Sequence, residues 1–294
     1  MTQAEVVVAG TRGVFAAYVA LTKPRIIELL LITTVPAMVL AAGVWPGTWL
    51  VVATLIGGTL SAGGANTLNS YVDRDIDQHM RRTRSRPLVR HEVPPRNALI
   101  FGCVLGVAGF LWLGLTSNWL AASISTAALL FYVFVYTIWL KRRTVQNIVI
   151  GGAAGAAPAL VGYAAVTGTV GLPAWVLFLI VFYWTPPHFW ALALRYEEDY
   201  ARAGVPMLPV VVGVPATTTR MLLYSGLMVG TSLMLVPIAE MSWIYLVASI
   251  GLGGWFIWET WTVHRKPEKA MHLFTSSSIY LAALFAAVML DVLL

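Results

Sequence analysis

NTLNSYVDRDIDQHMRRTRSRPL, Asn66 to Leu88, leaves a long apolar segment and at once presents Asp73, Asp75 and Asp77, then Arg81, Arg82, Arg84 and Arg86. Asn69, Asp73 and Asp77 are spaced four and four. On a helix a step of four turns about 400°, so each side chain drifts only about 40° from the last and all three share one face. Three hard oxygen donors on one face, followed by clustered guanidinium groups, is the chemistry of a metal–diphosphate site. Magnesium takes one or two carboxylates and fills its shell with water and phosphate oxygens, and arginine forks match phosphate. A solvated loop whose charges only fix topology has no need of a register that continues the helix above it.

Outward from this stretch the chain is greasy. It has 294 residues, 59% hydrophobic and 11% charged, with a mean hydropathy of +0.77. Soluble domains carry about 25% charged residues, so the composition is that of an integral membrane protein. A net charge of +6 would suggest nucleic acid in a soluble chain. Here the positive-inside rule explains the basic residues, and no nucleic-acid partner is expected. The single cysteine, Cys103, cannot form an intrachain disulfide. Met1–Arg12 lacks the early basic region and apolar core of a cleaved signal.

A bilayer crossing needs about 20 apolar residues. Nine such segments can be placed: Ile26–Ala42, Thr48–Tyr71, Ala98–Leu115, Leu120–Leu140, Val145–Val166, Ala174–Leu194, Met221–Ala239, Trp243–Val263 and Ser276–Leu294. The expected fold is therefore all-α: a polytopic membrane protein, a nine-transmembrane-helix bundle forming one domain over 1–294. A short tail (1–20) precedes it, and polar loops at about 72–97 and 195–220 interrupt it. All 19 lysines and arginines fall on one side of this arrangement. That side is cytoplasmic by the positive-inside rule, with the N-terminus inside and, for an odd span count, the C-terminus outside. Glycines at 57, 58, 63, 64, 151, 152 and 155 read as close helix packing.

A second polar cluster ends the sixth span, FYWTPPHFWALALRYEEDYARAGVPMLPVVVG. His188, Arg195 and Asp199 are spaced seven and four, near one helical face. The pair Pro186–Pro187 removes amide donors and should kink or open the helix, which is tolerated at membrane depth where a cavity is lined. The two clusters are expected to face each other across a cytoplasm-side chamber. His188 is either a satisfied interhelical hydrogen bonder or a ligand or orienting group for a bound metal cofactor. Lys23-Pro24-Arg25 and Lys141-Arg142-Arg143 complete the mouth, with Lys141 and Arg142 as phosphate contacts at the depth of Asp73. Glu28 reads as an interface residue.

NSYVDRDIDQHMRRTRSRPL resembles the first aspartate-rich motif of the UbiA-type intramembrane prenyltransferases. LTKPRIIELLL at Leu21, YTIWLKRRTVQNIVIGGAAGAAPALVGYAAVTG at Tyr136, WTPPHFWALAL at Trp184 and DYARAGVPMLPVVVG at Asp199 extend the likeness from about Leu21 to the end, toward the haem-modifying branch. The resemblance implies a nine-helix bundle with two polar loops capping the chamber, farnesyl diphosphate as donor, magnesium as cofactor and the 2-vinyl group of haem B as acceptor. The implied product is haem O, in a bacterial cell membrane, with a downstream haem A synthase as partner. Asn69, Asp73 and Asp77 match the family's NxxxDxxxD metal motif. Arg195 and Asp199 stand where quinone-pathway relatives carry DxxxD, which puts a symmetric two-metal arrangement in doubt.

The expected roles follow. Asp73, Asp77 and Asp199 are the catalytic acids, and with Asn69 they hold the metal. Asn69, Tyr71, Arg74, Arg81, Arg82, Arg86, Lys141, Arg142, Trp184, His188 and Arg195 bind substrate. Tyr71, Tyr183, Trp184, Phe189 and Trp190 are candidates to face an allylic cation. The competing readings are a prenyltransferase acting on an aromatic quinone precursor and a secondary transporter. The latter expects binding groups near the bilayer midplane, whereas these charges crowd one edge.

Overall fold

A computed structural model describes residues 13–294, apart from the side chains of residues 25, 26 and 28–31. Arg12 and the side chains of Arg25 and Glu28 therefore lie outside the described part. The chain forms α1 (Val14–Thr22), α2 (Pro24–Ala42), α3 (Thr48–Val72), α4 (Arg74–Asp77), α5 (Pro95–Thr116), α6 (Trp119–Leu140), α7 (Asn147–Thr167), α8 (Leu172–Arg195), α9 (Glu197–Arg202), α10 (Leu208–Ile238), α11 (Trp243–Arg265) and α12 (Ala270–Leu293). Among the described residues there is no strand.

Seven of these helices, α3, α5, α6, α7, α8, α10 and α12 with the 3-10 turn before it (Pro267–Lys269), are long and apolar enough to cross a membrane. The other two expected spans are helical as well. In α2 the apolar stretch within the described residues is Ile32–Ala42. α11 carries Glu259, His264 and several glycines among its aromatics, which lowers its hydropathy. Nine crossings remain an expectation rather than a count.

Four boundaries differ from those read in the sequence. The tail becomes helical at Val14, because Ala17 and Leu21 bury themselves against Leu88, Val93 and Ala98. The loop expected over 195–220 is mostly helix. α10 starts at Leu208 and bends at Gly213, whose φ of 76° suits a residue without a Cβ. α12 starts at Ala270, ahead of the expected Ser276. Finally, α8 runs through Pro186 and Pro187 as one helix, so the expected opening is not there. Neighbours pack around the prolines instead, which is how membrane helices tolerate them.

Glycine spacing sets the helix contacts. A Cβ on Gly64 would stand 2.8 Å from the Gly102 carbonyl oxygen, and one on Gly109 would stand 2.8 Å from the Ser61 amide nitrogen. α3 and α5 can approach this closely only because those side chains are absent. The core lies on the other flank, where Trp190 of α8, Tyr245 and Phe256 of α11, and Tyr280 and Phe285 of α12 are fully buried.

Candidate active site

α3 ends at Val72 but its hydrogen-bond ladder does not stop there. The Asp73 amide donates to the Asn69 carbonyl and the Asp77 amide to the Asp73 carbonyl, at 2.9 Å each. Asp73 itself keeps helical angles (φ −83°, ψ 0°). The register of four therefore survives the junction into α4, and Asn69, Asp73 and Asp77 are all buried. Asp75, two residues from each aspartate, faces out, its side chain 57% exposed.

Cations from three parts of the chain meet this face. Lys23 Nζ, between α1 and α2, donates to Asn69 Oδ1 at 2.6 Å. Lys141 Nζ at the end of α6 pairs with Asp73 Oδ2. Arg86 Nη1 pairs with Asp77 Oδ2 at 2.5 Å. The Asn69 amide donates to Asp73 Oδ2 at 2.8 Å and to Thr137 Oγ1 at 3.1 Å. Burial, then the nearby Arg86 guanidinium, pushes the Lys23 ammonium well below its ordinary range, against the pull of Asp73 and Asp77. An anion arriving at this face would favour the charged form of Lys23. One atom accepts no hydrogen bond: Asp73 Oδ1 is buried, with the Arg142 guanidinium standing 3.9 Å away. Buried carboxylate oxygens are costly to leave unpaired, and a hard cation is a fitting partner for this one.

Lys141 reaches the site because of how α6 is wound. Its second half, Phe131–Leu140, is a π-helix closed by bonds such as Lys141 amide to Tyr136 carbonyl at 2.8 Å. In an α-helix nine residues turn about 900°, which would put Tyr132 and Lys141 on opposite sides. With i→i+5 closure nine residues make roughly two turns, and Tyr132, Tyr136 and Lys141 all line the same hollow. Tyr132 stacks on Tyr136 at 5.3 Å between centroids. Gly151 clears the way for Tyr136, since a Cβ there would lie 2.3 Å from the ring.

That hollow is a single cavity running down α3 between α2, α6, α7 and α8. Lys23, Asn69, Asp77, Arg82, Arg86 and Lys141 line its charged end. Below them the walls are largely apolar, with Trp184, Phe189, Tyr132, Tyr136 and Tyr200 as the aromatic faces. Tyr132, Tyr136 and Tyr200 were not among the aromatics singled out in the sequence. Lys23 was, though only as part of the mouth. Only the π-winding, invisible to a 3.6-residue period, aligns the two tyrosines with Lys141.

The second cluster is built differently. The Asp199 carboxylate accepts from the Arg81 amide at 3.1 Å and pairs with Arg202. It thus ties the polar segment after α4 to α9, and the two caps do meet over one hollow. His188 is buried, its Nδ1 2.6 Å from Ser277 Oγ, and its ring is stacked between Trp184 and Phe274 at 4.2 and 4.3 Å. This is the interhelical hydrogen bonder, outside the lining. Trp184 lines the cavity while its indole donates to the Ser277 carbonyl at 2.8 Å.

Seven further expected contacts do not line the hollow. Arg74 is exposed, lying over the Tyr71 ring at 4.4 Å, and Tyr71 packs against α1 rather than the hollow. Arg142 grips Asp75 through two bonds of 2.7 Å. Its fork matches that carboxylate, and its Nη2 stays 3.9 Å from Asp73 Oδ1 without lining the cavity. Arg195 is exposed at the end of α8, and the Arg81 side chain is 69% exposed. Tyr183 and Trp190 pack against Tyr224, not against the hollow.

Among the described residues no three His, Cys, Asp or Glu side chains converge as a ligand set. Magnesium does not require three, since one or two carboxylates suffice when phosphates and water complete the shell. Asp73, whose Oδ1 accepts no hydrogen bond, and Asp77 fit that donor set.

A buried acid–base face over an apolar hollow, inside a bundle of membrane-length helices, is the architecture of an intramembrane prenyltransferase. The chain belongs to the UbiA prenyltransferase family, whose profile matches residues 30–288, and it is a multi-pass membrane protein. It is 55% identical over 283 residues to a protoheme IX farnesyltransferase of Clavibacter sepedonicus, covering 95% of this chain and 92% of that one. It is 56% identical over 285 residues to protoheme IX farnesyltransferase 1 of Saccharopolyspora erythraea, covering 95% and 91%. Among solved structures, a digeranylgeranylglyceryl phosphate synthase superposes with a TM-score of 0.78 at 18% identity, over 95% of this chain and 98% of that one. A UbiA homolog from Archaeoglobus fulgidus bound to DMAPP and Mg2+ superposes with a TM-score of 0.66 at 17% identity, over 92% and 99%.

Proposed function

We propose that this protein transfers the farnesyl group of farnesyl diphosphate to the 2-vinyl group of haem B, giving haem O and diphosphate. The observation that carries it is the cationic rim around Asp73 and Asp77 at the top of an apolar, aromatic-walled chamber. The donor and acceptor come from the names of relatives more than half identical to this chain.

The rim binds the diphosphate. Lys23, Lys141, Arg82 and Arg86 are placed to take phosphate oxygens, with Lys141 and Arg86 released in part from their carboxylates as the anion arrives. Asp73 and Asp77, with Asn69 beside them, would hold magnesium. When bound, it supplies Lewis-acid neutralisation of the charge that grows on the leaving group. Asp199 holds the two caps together, and it would join the metal only on releasing Arg81 and Arg202. The chamber below excludes water, which strengthens every charge interaction at the rim.

As the allylic C–O bond breaks, its electron pair leaves with diphosphate and a cation forms at C1. The Tyr132–Tyr136 pair and Trp184 offer ring faces to that cation. The vinyl terminus then gives its π electrons to C1, forming the new C–C bond. Water adds to the resulting cation beside the porphyrin ring and loses a proton, leaving the hydroxyethylfarnesyl group. We place the rim and the N-terminus on the cytoplasmic side of a bacterial cell membrane, with a haem A synthase as the consumer of the product. The test is to incubate purified protein with haem B, farnesyl diphosphate and magnesium, then weigh the porphyrin. A mass gain of one farnesyl plus one hydroxyl is expected, and unchanged haem B would overturn the proposal.

A further inference from the structure

The chamber has a floor as well as a rim. From Asn69 the lining face of α3 steps through Ala65, Ala62 and Gly58 to Leu55 and Thr54. Thr54 on α3 and Val161 on α7 are the deepest lining residues of their helices. At 1.5 Å per residue Gly58 lies roughly 16 Å and Thr54 about 22 Å below Asn69. An extended chain gains about 1.2 Å per bond, so the twelve-carbon farnesyl main chain with its C–O–P link reaches roughly 16 Å and geranylgeranyl roughly 20 Å. A farnesyl terminus stops level with Gly58. One more isoprene unit arrives at Thr54.

Thr54 is built to resist it. Its hydroxyl is buried and makes no hydrogen bond. Other helical hydroxyls here, such as those of Thr67 and Thr185, donate to the carbonyl four residues back. That of Thr54 does not. A hydroxyl this deeply buried gains no partner from a hydrocarbon chain pushed against it. An apolar floor would instead reward extra methylenes. Gly58, one turn shallower, leaves the path open, since nothing stands within 4 Å of where its Cβ would be.

We propose that Thr54 sets the donor length, its unpaired hydroxyl ending the chamber just beyond a third isoprene unit. This rests on the prenyl-transfer reading above.

The test uses the full chain with magnesium and two non-reacting probes, farnesyl and geranylgeranyl S-thiolodiphosphate, in competition binding. Wild type should prefer the farnesyl probe. Thr54→Val keeps the shape and removes the hydroxyl, and should raise the geranylgeranyl-to-farnesyl preference about tenfold. Gly58→Leu fills the passage and should shift preference at least tenfold from farnesyl toward geranyl S-thiolodiphosphate, which keeps the test alive if Thr54→Val does not fold. A wild type without length preference, or a folded Thr54→Val whose ratio stays within twofold, overturns the proposal. So does Gly58→Leu with an unmoved optimum. If wild type yields no farnesylated haem yet keeps the length preference, the acceptor reading fails and the stop stands. Haem product without any length preference is the reverse.

Discussion

The two polar clusters share a spacing of four and differ in what they become. Asn69, Asp73 and Asp77 form one buried face fed by Lys23, Lys141 and Arg86. Arg195 and Asp199 part company: the first is exposed, the second buried against Arg81 and Arg202. The cause is a single residue in each junction. Asp73 holds helical angles, so the ladder runs on into α4. Tyr196 sits at φ −114° and ψ 28°, outside the helical range, so α9 leaves the face that α8 presents even though the Tyr196 amide and carbonyl still bond four residues back and four on. Equal spacing gives a shared face only where the backbone stays helical between the residues.

The sharpest way to break this comparison is at Asp73. Asp73→Asn keeps the shape but removes the charge, and should lower haem farnesylation by about 10³-fold, as expected for losing a preorganised charge at a reacting centre. Because Lys141 would then be left half-buried without its carboxylate, Asp73→Asn/Lys141→Met should recover the thermal midpoint without recovering turnover. Activity near wild type in either variant would remove the metal–diphosphate assignment.

Asp199 tests the other half. As a joint between caps, Asp199→Asn should raise the farnesyl diphosphate KM by about tenfold with a smaller change in kcat, since it loses charge-assisted bonds worth roughly 1.5–3 kcal/mol. A loss as deep as that of Asp73→Asn, with a shifted magnesium dependence, would make it a metal ligand instead.

His188 and Ser277 should behave as one unit. His188→Ala and Ser277→Ala should each lower the thermal midpoint, with the double variant costing less than the sum. The spectrum of added haem should be the same with and without His188. A changed haem spectrum would reopen axial ligation.

The smallest effect is expected at Asp75. Its carboxyl lies below the usual carboxylate range because Arg142 hydrogen-bonds to it. The stabilisation is full above the unfolded value of about 3.9 and is lost as pH falls through the lower folded value. For so exposed a pair it is about 0.2–1 kcal/mol. Asp75→Asn should therefore change the neutral-pH thermal midpoint very little, whereas Asp77→Asn, two residues on, should be severe.

Much of the site was legible because it rests on local rules. Asn69, Asp73 and Asp77 lie within nine residues of one another, and one period places all three. Arg74 and Arg195 stand apart from the site for the opposite reason. Whether an arginine joins a rim or grips a nearby partner depends on which helix stands opposite. His188 was legible as a buried polar group but not as a partner of Ser277, 89 residues away.

By itself the sequence determined that this chain is a bundle of apolar helices with its lysines and arginines gathered in alternate connections, and that three oxygen donors share a face beside them. Water and lipid impose those outcomes on any chain of this composition and period. Only the tertiary structure decided which cations close on that face, that the extra winding of α6 carries Lys141 to it, and where the hollow ends at Thr54. Such contacts join residues far apart in the chain, and no local period encodes them.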